Sequence, residues 1–189
     1  MRRQIQILWF LFCHSAWTSE QSRPEPRVIV RVYDAVNLSS ATLNEAEQQA
    51  DEIFRFAGIR IVWVTGPLSG GNNGTQTETI RIWPRAAAGK IPTGPETLGF
   101  CLSLENGEAV VLADVIQKHE FGPLNFANLL GITMAHELGH LLLRSKKHSV
   151  VGVMSAPFTD TALGAIARGR LRFTSQEGER MRGELKGGL

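Results

Sequence analysis

Cysteine is nearly absent from this chain: 189 residues carry two, Cys13 and Cys101. That count excludes a disulfide scaffold, which needs several pairs, and a structural metal cluster built from thiolates at close spacing. Cys101, in "TLGFCLSL", has no partner motif for catalysis beside it and reads as a small buried strand residue. Tyrosine is scarcer still, with Tyr33 alone, which leaves little room for a tyrosine in the chemistry. Charge of one sign is also missing. Twenty basic residues stand against 18 acidic ones for a formal net charge of +2, and nothing in that balance points to nucleic acid. No apolar run approaches the roughly 20 residues that a bilayer-spanning helix needs.

What is present fits a single globular domain. A hydrophobic content of 43% with 20% charged residues is enough to bury a core in a chain of this length. The first stretch, "MRRQIQILWFLFCHSAWTSEQSRPEP", sets two arginines before a short apolar run and then small, polar and proline residues. That order is the pattern of a secretory signal peptide, assigned here to residues 1–19. Removing Arg2 and Arg3 with it brings the formal charge to zero. The expectation is a secreted or periplasmic protein whose domain covers residues 27–189.

Periodicity then outlines an α/β (α+β) fold. "RVIVRVYDAV" (27–36) alternates Val28, Val30 and Val32 with Arg27, Ile29 and Arg31, as a strand with one buried face does. A helix follows, N-capped at Ser39 or Ser40, with Leu43, Ala46, Ala50, Ile53 and Phe54 at helical spacing and Gly58 just past its end. "IRIVWV" (59–64) is the next strand, and a strand, helix and strand so closely joined make a parallel βαβ unit. After a loop at 65–78 comes a third strand, "TIRIWP", and after a second loop "LGFCLSL" and "EAVVLADVI" form a hairpin about Asn106 and Gly107. Residues 124–143 are helical and apolar nearly all round, hence buried. A helix at about 159–168 and a last one in "FTSQEGERMRGEL", with Thr174 and Glu177 at capping-box spacing, complete a mixed sheet of about five strands with a helical C-terminal part.

The chemistry is concentrated in "MAHELGHLLLRSKKHSVVGVMSAPF". On a helix, His136 and His140 lie about 40° apart around the axis and roughly 6 Å apart along it, so both imidazoles reach one cation. Zinc accepts such nitrogens, and a catalytic zinc needs a third protein ligand and an open position for water. Glu137 falls where its carboxylate can take a proton from that water. Two core histidines and a solvated glutamate are a poor alternative, because a buried helix would have to satisfy all those polar groups and a metal does so at once. Three candidates compete for the third ligand: His148, Asp160, and the pair Glu177 and Glu179. A straight helix would carry His148 about 12 Å beyond His140. His148 therefore qualifies only if the helix stops near Arg144 and Ser145, and it is favoured because a neutral imidazole is the commonest metal ligand.

"HELGH", the "HS" at 148–149 and "VMSAPF" resemble the zinc-binding stretch and methionine turn of metzincins, matrix metalloproteinases in particular. "VRVYDAV", "HELGHLLL", "HSVVGVM" and "ARGRLRFT" are similar to a family of bacterial predicted zinc metallopeptidases, over nearly the whole chain after residue 26. The resemblance implies one catalytic Zn2+ on His136, His140 and His148, Glu137 as general base, and Met154 as an apolar floor beneath the ligands. It also implies an endopeptidase that acts as a monomer on peptide or protein substrates. Metzincins place a glycine and then the third ligand three and six residues after the second histidine, where this chain has Leu143 and Lys146. The loop to His148 is thus two residues longer. The segment 150–158 is expected to wall the cleft, with "LGFCLSL" on its rim able to pair with an extended peptide. His119 in "QKHEFG" reads as a surface loop residue. The competing function is a zinc-stabilised interaction protein without turnover, against which Glu137 argues, since a structural site needs no carboxylate between its ligands.

Overall fold

The structure is a computed structural model that describes residues 25–65, 76–91, 93–119, 124–157, 165 and 168–187. The expected signal peptide, most of the expected helix at 159–168, and Asp160 lie outside the described residues. Among those residues, five strands form one mixed sheet in the order β2-β1-β3-β5-β4. They are β1 Arg27–Asp34, β2 Arg60–Thr65, β3 Thr77–Trp83, β4 Gly99–Ser103 and β5 Glu108–Leu112. The helices are α1 Ser40–Phe56, the short α2 Ala113–Ile116, α3 Phe126–Leu142 and α4 Ser175–Gly187. A single α+β domain results, as the patterning predicts.

Local sequence accounts for most of these elements. Ser39 accepts a hydrogen bond from the Thr42 N–H and so starts α1, while Asn125 accepts from the Asn128 N–H and starts α3; side-chain caps of this kind satisfy N–H groups that the first turn leaves without partners. Val28, Val30 and Val32 are buried, as their alternation requires. β1 runs parallel to β2 and to β3 on its other side, and β3 runs parallel to β5. β4 is antiparallel to β5 and forms the edge of the sheet. The main core lies between the sheet and α1 and α3, and joins Val30, Ile53, Phe54, Ile80, Ile82, Leu138 and Met154. A smaller cluster of Ala88, Val110, Leu112 and Val115, with Trp83, Phe100 and Leu102 against it, forms a second, separate core.

Two sequence expectations are corrected. The second hairpin strand does not reach Ile116: it ends at Leu112, and the chain turns into α2. Asp114, a poor strand residue, accepts the Arg85 N–H at 2.7 Å, and Val115 and Ile116 are buried in different apolar clusters. In the hairpin turn, Gly107 alone takes a positive φ, of 62°; Asn106 does not. The turn spans residues 104–107, with a bulge between Cys101 and Ser103.

Candidate metal centre

All residues of α3 except Phe126 and Asn128 are buried, and the helix delivers His136, Glu137 and His140 into the protein from that position. The donor group is completed from outside the helix. His136, His140 and His148 offer nitrogens that all lie within 4.8 Å of one another. His140 Nε2 stands 3.1 Å from His136 Nε2 and 3.2 Å from His148 Nε2.

The other ring nitrogens decide what these short distances mean. His136 Nδ1 is 2.7 Å from the Val153 carbonyl oxygen, and His140 Nδ1 is 2.7 Å from the Ser145 carbonyl oxygen. A carbonyl only accepts, so both Nδ1 atoms carry the hydrogen, and in the neutral rings each Nε2 presents a lone pair. Two lone pairs at 3.1 Å repel. Protonation does not relieve them, because burial lowers the His136 pKa to about 4 and lowers that of His140 as well. A cation between them does relieve them, and tetrahedral zinc at its usual bond length would set such nitrogens about 3.3 Å apart. The residues therefore fit the metal that the sequence implies.

The helix end solves the problem of reaching His148 without a glycine. Leu143 is the C-cap of α3, and Arg144 takes the left-handed conformation, with φ 49°, at the position where glycine is usual. The Ser145 N–H donates to the His140 carbonyl and the Arg144 N–H to the Leu141 carbonyl, both at 3.1 Å. That pair of bonds is a Schellman motif. The left-handed residue costs conformational energy, and its side chain is anchored: Arg144 Nη1 donates to the Leu104 carbonyl at 2.6 Å, and Nη2 lies 3.7 Å from the buried Glu78 carboxylate. Residues 145–148 then return towards the helix. Ser149 donates its N–H to the Met154 carbonyl at 2.8 Å and bridges to Ser155, closing the next turn.

Met154 is fully buried. A Cβ on Gly139 would run into Met154 Sδ and come within 2.9 Å of the Phe173 ring, so the absence of a side chain at 139 lets the methionine lie against α3 one residue before His140. Glu137 is 3% exposed, and its Oε2 has no hydrogen-bond partner. Burial pushes its pKa up to about 8. Its carboxylate is packed against the edge strand, for a Cβ on Gly99 would sit 2.8 Å from Glu137 Oε1 and 2.8 Å from the Val110 carbonyl oxygen.

The remaining candidates fall elsewhere. Glu177 is the capping-box residue of α4: its Oε2 accepts the Thr174 N–H at 2.8 Å, and its own N–H donates to Thr174 Oγ1 at 3.2 Å. Glu179 is exposed, and neither glutamate joins the histidine group. His119 pairs with Glu96 at 3.2 Å. The Tyr33 ring lies against the Arg31 and Arg81 guanidinium groups. Cys101 is a free, half-buried thiol of β4, and burial raises its pKa. Of the expected cleft wall, Val150 and Val151 are exposed whereas Val153 and Met154 are buried; Phe158 lies outside the described residues. Sequence reading missed Gly99 and Gly139, although a glycine inside a strand or helix is a signal of close approach.

No family model and no curated protein matches the sequence. Among solved structures, the crystal structure of a zinc-dependent peptidase from Methanocorpusculum labreanum (strain Z) is similar in fold. It aligns with a TM-score of 0.51 and 13% sequence identity, over 82% of this chain and 99% of that one. Among the described residues, no helix is long and apolar enough to cross a membrane.

Proposed function

We propose that this chain is an exported, metzincin-like zinc endopeptidase, with His136, His140 and His148 as ligands, Glu137 as general base and Met154 as the floor beneath them. The observation that carries this reading is the tautomer argument: two Nδ1 hydrogens are committed to the Val153 and Ser145 carbonyls, and the Nε2 lone pairs converge. The fold neighbour, a zinc-dependent peptidase, supports the same class. Zinc bound there would polarise the scissile carbonyl and lower the pKa of its water to about 7.

The protein's own residues supply the rest. Glu137 takes the proton of the attacking water on its buried carboxylate and returns it to the leaving amine. Burial favours the protonated form of Glu137, which hands the proton on, while the charge of a bound cation would favour the carboxylate that takes it. His148 is exposed while its two companions are buried, so the donor group is open to solvent on one side. That opening favours turnover over a closed structural site. β4, the antiparallel strand at the sheet edge among the described residues, packs on Glu137 and could pair with an extended peptide.

The test is hydrolysis of casein or a mixed peptide library by the zinc-loaded protein, with and without chelator, beside Glu137→Ala. Cleavage that chelator and Glu137→Ala both abolish supports the peptidase. Stoichiometric zinc without cleavage would assign the chain to the zinc-stabilised interaction proteins instead.

A further inference from the structure

His136 and His140 each hold their ring by a bond from Nδ1 to a main-chain carbonyl. Among the described residues His148 has no such bond, is exposed, and sits on residues 145–148, which belong to no helix or strand. Something else must hold the third imidazole in register. Its neighbour Ser149 is tied down twice: by the main-chain bond to Met154 and by its hydroxyl, which donates to Glu177 Oε1 of α4, 28 residues later.

Glu177 does more than a helix cap requires. A capping box uses one carboxylate oxygen and usually sits at the surface, where water serves the other. Here the side chain is buried, one oxygen accepts the Thr174 N–H and the other accepts the Ser149 hydroxyl. A carboxylate buried without partners would be costly. Two charge-assisted bonds and the N-terminal end of a 13-residue helix offset that cost and make the contact stiff.

We propose that Glu177 is a positioning residue for the metal centre, fixing His148 through the Ser149 hydroxyl and so coupling the start of α4 to metal affinity. The proposal rests on the zinc reading above. Groups that orient a metal ligand from behind typically change affinity 10- to 100-fold when removed, and Ser149 and Glu177 stand in that relation to His148.

The experiment measures the zinc dissociation constant by competition with a chromophoric chelator, together with the melting temperature of the metal-free protein. It compares the wild type, Ser149→Ala, Glu177→Ala, their double variant and Thr174→Ala. Thr174→Ala weakens the cap and leaves the Ser149 bond intact. The expected result is that Ser149→Ala and Glu177→Ala each weaken zinc binding about 10-fold or more, that the double variant is no worse than the weaker single one, and that Thr174→Ala lowers the melting temperature with zinc affinity unchanged. Should Glu177→Ala fail to fold, the contrast between Ser149→Ala and Thr174→Ala decides alone. Wild-type affinity in Ser149→Ala, or affinity that falls in all variants in step with melting temperature, overturns the coupling while leaving the zinc reading in place. A wild-type protein that takes up no zinc overturns both.

Discussion

Ser145 grips His140 twice through its own main chain: its N–H donates to the His140 carbonyl at 3.1 Å, and its carbonyl accepts from His140 Nδ1 at 2.7 Å. The same turn that stops α3 therefore orients the second histidine and fixes its tautomer. Helix termination and ligand positioning are one structural event here, and it depends on the left-handed Arg144.

Arg144 can be divided into backbone and side chain by substitution. Glycine adopts φ 49° without penalty but loses the guanidinium contacts to Leu104 and Glu78, whereas valine loses the contacts and also strains the backbone. Arg144→Val is expected to be less stable than Arg144→Gly by about 1–2 kcal/mol in urea unfolding of the metal-free protein. Equal stabilities would mean that the turn adapts to its residue and that the Schellman geometry is not required.

Gly99→Ala tests the contact between the edge strand and the general base. The added methyl meets Glu137 Oε1 and the Val110 carbonyl, each at 2.8 Å, so the strand or the carboxylate has to move. Peptide cleavage is expected to fall at least about 10-fold, with a stability loss of about 1–3 kcal/mol and zinc content unchanged. Full activity in this variant would show that Glu137 is not held by β4.

His148→Ala, set against His119→Ala, separates the metal ligand from the loop histidine. Losing one of three ligands is expected to weaken zinc binding well beyond the 10- to 100-fold that a supporting residue costs, and His119→Ala should bind as the wild type does, since it pairs with Glu96 instead. Inductively coupled plasma analysis after gel filtration reads the difference, and full zinc content in His148→Ala would remove it from the ligand set.

The metal-free protein should show an unusual dependence of stability on pH. Glu137 keeps its proton to about pH 8 when folded against 4.5 when unfolded, so between those values the native state binds the extra proton and stability falls as pH rises. His136 opposes this only below 6.5: its native pKa of about 4 makes the unfolded chain the better proton binder between about 4 and 6.5, where stability rises with pH. From 6.5 to about 8 the Glu137 effect stands clear of it, with a loss of about 1–2 kcal/mol. Chemical denaturation at pH 6.5 and 8 should show this slope in the wild type and a flatter one in Glu137→Gln; identical slopes would place the proton elsewhere.

Much of the fold was legible because it depends on short stretches. The alternation of Val28, Val30 and Val32, the Ser39 cap and the Thr174 to Glu177 box each act within a few residues, and each appears where the pattern puts it. The run 108–116 was misread as one strand because apolar residues without a clear period fit strand and helix alike. Only the packing of Val115 and Ile116 into different clusters, with Asp114 bonded to Arg85, ends the strand at Leu112. The position of β3 between β1 and β5 was likewise invisible, since pairing partners far apart in the chain leave no local signal.

The sequence by itself determined that His136 and His140 face one point, because helical geometry leaves no choice at a spacing of four. It also implied that the helix has to stop before His148. Where His148 then goes was decided by tertiary structure alone. A loop of a few residues follows the path its ends impose. One end is set by Arg144, clamped to Leu104 and Glu78, and the other by Ser149, held by a glutamate 28 residues further along the chain. No local pattern encodes contacts at that separation. They exist because the β4–β5 turn and α4 are packed where both can reach the end of α3.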